Sequence, residues 1–303
     1  MSTRGDTDGS PGDPACAWPR RCDCPAEPAG DGRASVAALS VVLPLRPRGG
    51  SVDGTPLFCL AGEAVLAWSF AALLAHLDPD VPVYGLQPPL AESDGAPPRT
   101  VRDGAARYVA EIRWVAPHGP YQLVGWSAGG FVAHEIARVL RASGEEVRLV
   151  VLGADPGRPG VVAESGSTAG ELVAGFGSVF GTGPGTGGHT ADETAALVVS
   201  ALAGTIDLTG ADLDRIAAAA GAAAQMTAGH EPAILPGAMT VVVAGRAPRV
   251  DPAAVRRNWR SYADGAVTAI VLDATHDELL DPVCMPAIAE ALATVESPVR
   301  SAR

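Results

Sequence analysis

The stretch "YQLVGWSAGGFVAHEIARVL" at residues 121–140 decides the fold class, because it joins two kinds of secondary structure through one short turn. The apolar run at 121–124 predicts a short buried strand, and the apolar spacing over 131–140 predicts a helix. Between them lies a Gly-x-Ser-x-Gly pattern centred on Ser127. A strand that turns sharply into a helix is the building unit of an α/β protein.

Ser127 lies between Gly125 and Gly129 at this junction, and the pattern predicts a nucleophile. A sharp turn there would present the hydroxyl to a substrate, while the glycines let strand and helix approach closely. The backbone N–H of Ala128, at the helix start, would favour negative charge and serve as one oxyanion donor. The alternative is a chance match in a chain that contains 36 glycines.

Outward from this stretch, apolar strand-like runs alternate with helical patterns over most of the 303 residues. The alternation predicts an α/β fold with a mostly parallel central sheet covered by helices on both faces. Residues 1–38 are rich in Pro, Gly and Asp and predict a disordered tail, which leaves 39–303 as one domain. A helical block at about 160–232 interrupts the alternation and predicts a lid inserted over the carboxyl edge of the sheet.

The composition limits the classes of partner and compartment. A net charge of −12 makes nucleic acid an unsuitable partner. No run of 18 apolar residues and no apolar N-terminal signal occur, so we expect a cytoplasmic protein without membrane contact. The five cysteines form no metal-binding or disulfide pattern, and we expect no metal and no cofactor held by the chain itself.

A serine nucleophile needs a base, and His276 is the predicted one. It follows the last predicted strand in "VLDATHDELLDP", where the histidine of such a site belongs in chain order. The other five histidines lie in helices, turns or the lid and fit this place less well. A purely structural role for His276 is the alternative.

The acid that would orient the histidine has two candidates. Asp155 lies just past the strand after Ser127, in "VVLGADPGRPG", and Asp251 lies past the following strand. Both keep the order Ser, Asp, His, and we favour Asp155 because it follows its strand more closely. Asp155 could instead cap the turn that it begins. The second oxyanion donor is predicted near Glu63, in the loop after the strand at 55–62.

These motifs resemble the thioesterase domains of nonribosomal peptide and polyketide synthetases, within the α/β-hydrolase superfamily. The resemblance rests on "PLFCLAG", "VPVYGLQPP", "YQLVGWSAGG", "NWRSY" and "ATHDELLDP", spread over about residues 40–295. It implies an α/β-hydrolase fold and a serine, Ser127, that accepts an acyl or peptidyl chain from the phosphopantetheine arm of a carrier protein. Water, or an internal amine or hydroxyl that closes a macrocycle, would then release the chain. His276 would be the base, and the N–H groups of Ala128 and Glu63 the oxyanion hole.

Two positions depart from the family's pattern. The loop after the first core strand usually carries His-Pro followed by small residues, where this chain reads Ala61-Gly62-Glu63-Ala64. The acid usually ends its strand directly, where this chain has Gly153, two residues before Asp155. Two other functions therefore stay open: a general serine esterase or lipase, and a non-catalytic carrier-binding module derived from a thioesterase. No carrier segment is recognisable, and we expect a free-standing enzyme rather than an excised synthase domain.

Overall fold

The structure is a computed structural model that describes residues 41–62, 66–88, 98–157, 210–248 and 250–294. The predicted N-terminal tail and Glu63 lie outside the described residues, as does most of the predicted lid. In chain order the strands are β1 Val42–Arg46, β2 Leu57–Leu60, β3 Val83–Leu86, β4 Tyr121–Trp126, β5 Val147–Leu152, β6 Met239–Ala244 and β7 Val267–Leu272. The α-helices are α1 Val101–Val115, α2 Ala128–Ala142, α3 Gly210–Thr227, α4 Pro252–Arg260 and α5 Met285–Thr294. Two 3₁₀ helices cover Ala67–His76 and Asp277–Leu280.

The seven strands form one sheet in the order β1-β3-β2-β4-β5-β6-β7. Only the β1–β3 pair is antiparallel, and the other pairs are parallel. The predicted mostly parallel sheet is therefore confirmed. β4, which carries the Ser127 turn at its end, lies in the middle of the sheet between β2 and β5.

Two apolar clusters cover the two faces of the sheet, as the side chains of β4 illustrate. Tyr121 and Leu123 point into the cluster formed with α1, α2 and α4. Val124 and Trp126 point into the opposite cluster, formed with the 3₁₀ helix at 67–76 and with α5. Alternate residues of a strand face opposite sides, and a strand buried on both sides is apolar throughout. All six residues of β4 are accordingly buried.

Local capping and breaking residues set the helix ends that the sequence predicts. The Thr100 side chain accepts a hydrogen bond from the N–H of Asp103 and begins α1, which ends before Pro117. α2 ends at Ala142 with Ser143 as its C-cap, and Gly144 follows with a φ of +86°, which favours glycine. At this end of α2 the buried Arg141 guanidinium donates to the backbone carbonyls of Val147 and Ala238 and so ties the helix to the starts of β5 and β6.

None of the helices in the described ranges is both long and apolar enough to cross a membrane.

Candidate active site

Ser127 occupies a strained turn between β4 and α2. Its φ of +55° makes it the one non-glycine residue with positive φ among those the structure describes. The flanking glycines are required by close approach, since a Cβ on Gly125 would lie 2.3 Å from the carbonyl oxygen of Gly129. A Cβ on Gly129 would lie 2.6 Å from the carbonyl oxygen of Leu60. The Gly-x-Ser-x-Gly pattern is thus a packing requirement of the turn rather than a chance match.

The structure brings His276 to this serine from 149 residues away in the sequence. His276 Nε2 lies 3.1 Å from Ser127 Oγ, a hydrogen-bonding distance. The histidine directly precedes the 3₁₀ helix at 277–280, just after β7 at the carboxyl edge of the sheet. Burial lowers the pKa of His276 below its usual value, and the nearby Asp277 charge opposes this shift. The ring is therefore neutral at pH 7 and able to accept a proton.

Neither predicted acid makes a hydrogen bond to His276. Asp155 Oδ1 accepts from the N–H of Gly157 at 2.9 Å and from Asn258 Nδ2 at 2.8 Å. This is the turn-capping role that the sequence left as an alternative. The structure does not describe any other hydrogen bond of this carboxylate, and its assignment as the acid stays a prediction.

Asp251 caps the start of α4 and is exposed. Its Oδ1 accepts from the N–H of Ala253 at 3.0 Å, and its Oδ2 lies 3.4 Å from an Arg257 nitrogen. Over the described ranges of the chain, no carboxylate is hydrogen-bonded to the ring of His276.

Two residues that the sequence reasoning missed surround the imidazole. The ring centroids of Trp126 and His276 lie 4.9 Å apart, and Trp126 Nε1 donates to the main-chain carbonyl of His276 at 3.1 Å. Gly153 lies so near that a Cβ there would be 2.8 Å from His276 Nδ1. Gly153 was visible in the sequence as a departure from the family's acid position, whereas Trp126 has only the pattern of an apolar residue at the end of a strand.

Of the two predicted oxyanion donors, Ala128 and Glu63, the structure describes only Ala128. Ala128 is the first residue of α2 and is buried beside Ser127. Backbone N–H groups in the first turn of a helix have no acceptor within it, and they form the positive end of the helix dipole, which attracts an anion. Glu63, the second predicted donor, lies outside the described residues. Both assignments stay predictions.

An apolar cavity adjoins the serine turn and has an empty volume of about 530 Å³, part of it open to solvent. Its floor includes Gly62 and Ala128, and its far wall is α3, which turns Ala219, Ala222 and Ala223 towards it. The small alanine side chains of α3 leave the space open. The remaining lining residues are Leu60, Ala61, Leu86, Pro88, Pro98, Tyr108, Gly129, Val132 and Met226.

The predicted lid is described only in part. Residues 158–209 lie outside the described residues, and α3 is the part of the 160–232 block that the structure describes in helical form. α3 contacts α2, which is consistent with a position over the serine turn. The lid as a whole stays a prediction.

Comparisons with known proteins place this site in a family context. The family model "Thioesterase domain" matches residues 55–294. A dimodular nonribosomal peptide synthase of Bacillus subtilis (strain 168) is 44% identical over 118 residues, which is 39% of this chain and 5% of that protein. A probable non-canonical nonribosomal peptide synthetase, CymA, of Salinispora arenicola is 47% identical over 122 residues, 40% of this chain and 2% of that protein. The chain thus matches only a small part of the length of these relatives.

Solved structures support the fold. The Vlm2 thioesterase domain superposes with a TM-score of 0.64 at 19% identity, covering 82% of this chain and 95% of that one. The type II thioesterase BorB from the borrelidin biosynthetic cluster superposes with a TM-score of 0.57 at 22% identity, covering 83% and 97%. At these identities the likeness establishes the α/β-hydrolase fold and nothing finer.

Proposed function

Because the chain belongs to the thioesterase domain family, we propose that it releases an acyl or peptidyl chain from a carrier-protein thioester through an acyl-enzyme on Ser127. The single observation that carries the proposal is the 3.1 Å contact between Ser127 Oγ and His276 Nε2 at a strained turn of the sheet. A strained serine paired with a neutral imidazole is the arrangement that nucleophilic acyl transfer needs.

The first half of the reaction forms the acyl-enzyme. His276 Nε2 takes the hydroxyl proton as Ser127 Oγ attacks the thioester carbonyl carbon. When the tetrahedral intermediate collapses, the carbon–sulfur bond breaks and the imidazolium returns its proton to the departing sulfur. The products are a serine ester and the free thiol of the phosphopantetheine arm.

The second half releases the chain. Water, or an amine or hydroxyl at the far end of the chain, gives a proton to His276 and attacks the ester carbonyl. The imidazolium then protonates Ser127 Oγ, which restores the enzyme and yields an acid or a macrocycle. Hydrolysis and cyclisation use the same protein groups and differ only in the nucleophile that attacks the ester.

The oxyanion of each tetrahedral intermediate needs hydrogen-bond donors. We assign this role to the N–H groups of Ala128 and Glu63, as the family resemblance implies. Loss of one such donor typically lowers kcat by about 10²–10³-fold.

The cavity beside Ala128 indicates the character of the acyl group. Its described walls are almost wholly apolar, and Tyr108 supplies the one phenolic hydroxyl among the lining side chains. Removing apolar surface from water contributes a favourable free energy of about 25 cal/mol per Å². Such walls therefore favour the binding of an aliphatic or aromatic acyl group over a charged one. The partner that delivers the acyl or peptidyl group is an acyl or peptidyl carrier protein. The enzyme itself needs no cofactor.

A fluorophosphonate probe and matched thioester and ester substrates test the proposal. We expect the probe to label the wild-type chain on Ser127, and Ser127→Ala to remove labelling and turnover. Ser143→Ala, at the opposite end of α2, is the matched control and should behave as wild type. A non-catalytic carrier-binding module would show no labelling. Faster turnover of oxygen esters than of pantetheine thioesters with the same acyl group would indicate a general esterase instead.

A further inference from the structure

One aromatic side chain contacts both the ring and the backbone of His276. Trp126 ends β4, directly before the serine, and its indole lies 4.9 Å from the imidazole with the planes inclined by 36°. Its Nε1 donates to the His276 carbonyl oxygen at 3.1 Å. Because Trp126 and Ser127 are adjacent on one rigid strand end, anything that fixes His276 against Trp126 also fixes it relative to Ser127.

Two glycines make room for this arrangement. A Cβ on Gly62 would lie 2.8 Å from Trp126 Cε3, and a Cβ on Gly153 would lie 2.8 Å from His276 Nδ1. The indole thus fills the space above Gly62, and the imidazole fills the space above Gly153. Leu279 also packs against Gly153, since a Cβ on Gly153 would lie 3.1 Å from Leu279 Cδ1. The two rings are confined by close packing on both glycines.

Gly153 stands at the position where the family usually has its acid, and the imidazole of His276 occupies the space that a side chain there would fill. Position 153 carries no side chain, and His276 Nδ1 lies 2.8 Å from where a Cβ of this residue would be. The nearest acid in sequence, Asp155, directs Oδ1 to Gly157 and Asn258. The charge of Asp277 raises the pKa of His276 and partly offsets the effect of burial.

We propose that Trp126 positions His276 for proton transfer, which is the orienting part of the role that a carboxylate has in a serine triad. The inference rests on the proposed function. The indole fixes the ring by packing, and the Nε1–carbonyl hydrogen bond fixes the backbone that carries it. Trp126 is a positioning residue, because it acts on the substrate only through His276.

Two substitutions separate the two contacts. Trp126→Phe keeps an aromatic ring and removes the N–H donor, while Trp126→Leu removes both. Trp114→Leu is the matched control, because Trp114 lies exposed on α1. The readouts are the second-order rate of Ser127 inactivation by a fluorophosphonate as a function of pH, and kcat and KM for a hexanoyl pantetheine thioester.

We expect Trp126→Leu to lower the inactivation rate and kcat by about 10²-fold, the effect of a misplacement of about 1 Å. KM should stay within about threefold, since the interaction acts on the chemical step. Trp126→Phe should fall between this variant and wild type. In Trp126→Leu the imidazole is more exposed to water, which raises the pKa of His276. The acid limb of the pH profile should therefore move to higher pH. A merely structural role for Trp126 would lower the folded fraction without moving this limb.

The proposal is overturned if both Trp126 variants react at the wild-type rate with an unchanged acid limb. It is also overturned if Asp155→Asn lowers kcat by about 10⁴-fold, the loss seen when the acid of a serine triad is replaced. Trp126→Phe retains the packing and keeps the test informative if Trp126→Leu does not fold. A wild-type chain that does not react with the probe would contradict the proposed function and this inference together, whereas normal wild-type reactivity isolates the role of Trp126.

Discussion

Gly153→Ala perturbs the candidate site through a single methyl group. The new Cβ would lie 2.8 Å from His276 Nδ1 and 2.9 Å from Cε1. The optimal separation of such atoms is about 3.5 Å or more, so the imidazole has to withdraw by about 0.7 Å. Because a displacement of about 1 Å can cost 10²-fold in rate, we expect kcat to fall by between about 10-fold and 10²-fold.

The same substitution also strains the backbone, and Gly144→Ala separates the two effects. Gly153 has a φ of +67° and Gly144 a φ of +86°, conformations that favour glycine. An alanine at either position should cost about 1–2 kcal/mol of unfolding free energy. A Cβ on Gly144, however, meets no atom within 4 Å. Gly144→Ala should therefore lose stability without losing activity.

The assay is urea denaturation together with the kinetics of fluorophosphonate inactivation for the three proteins. We expect Gly144→Ala to lose stability but react with the probe at the wild-type rate, and Gly153→Ala to lose at least as much stability and to react slowly. Equal inactivation rates for Gly153→Ala and Gly144→Ala would refute the reasoning, because they would mean that His276 is not packed against position 153 in the reacting molecule.

Three further substitutions test the acid assignment, the apolar cavity and the buried His134. Asp155→Asn decides between the two accounts of what orients His276: a change in kcat of less than about threefold is expected if the Trp126 contact orients the ring, whereas a loss near 10⁴-fold would establish Asp155 as the acid that the sequence predicts. Ala223→Phe should place a phenyl ring in the apolar cavity and lower kcat/KM for long acyl chains by about 10-fold or more, with little change in kcat/KM for an acetyl thioester. Ala218→Phe, exposed on the same helix, is the control and should change kcat/KM equally for short and long acyl chains. Burial lowers the pKa of His134 to about 4, so the unfolded chain binds more protons below pH 6.5 and the unfolding free energy should fall between pH 6.5 and 4. The loss should reach about 3 kcal/mol, and His134→Gln should flatten the profile measured by urea denaturation.

The sheet and the Ser127–His276 pairing were accessible from the sequence for specific physical reasons. Apolar runs with helical patterns between them require a buried parallel sheet, and the carboxyl ends of parallel strands meet at one edge. Ser127 follows β4 and His276 follows β7, so the fold alone brings them to the same edge. The glycines beside the serine were equally informative, because the tight turn leaves no room for side chains.

The surroundings of His276 could not be predicted in the same way. Asp155 and Gly153 lie two residues apart near the end of one strand, and sequence spacing does not say which hydrogen bond a carboxylate prefers. Asn258 and the N–H of Gly157 decide that for Asp155 Oδ1, and both depend on tertiary contacts and turn geometry. Trp126 fits the pattern of a core residue in an apolar strand, and its contact with His276 appears only when the β7 loop is in place.

The 3₁₀ helix at 67–76 illustrates a smaller difference. The sequence predicts a helix there, and the apolar pattern is right for Phe70 and Leu73, which are buried against the sheet. Apolar periodicity does not separate 3.0 from 3.6 residues per turn over ten residues, so the tighter winding is a feature that only the structure reveals.

The most direct test of the central claim is to identify the atom that carries the acyl group. The wild-type chain would be mixed with a hexanoyl pantetheine thioester, quenched in acid within the first turnover, digested and analysed by tandem mass spectrometry. The account predicts a hexanoyl adduct on the peptide that contains Ser127, absent from Ser127→Ala and strongly diminished in His276→Ala. An adduct on another residue, or thioester turnover that persists in Ser127→Ala, would contradict it.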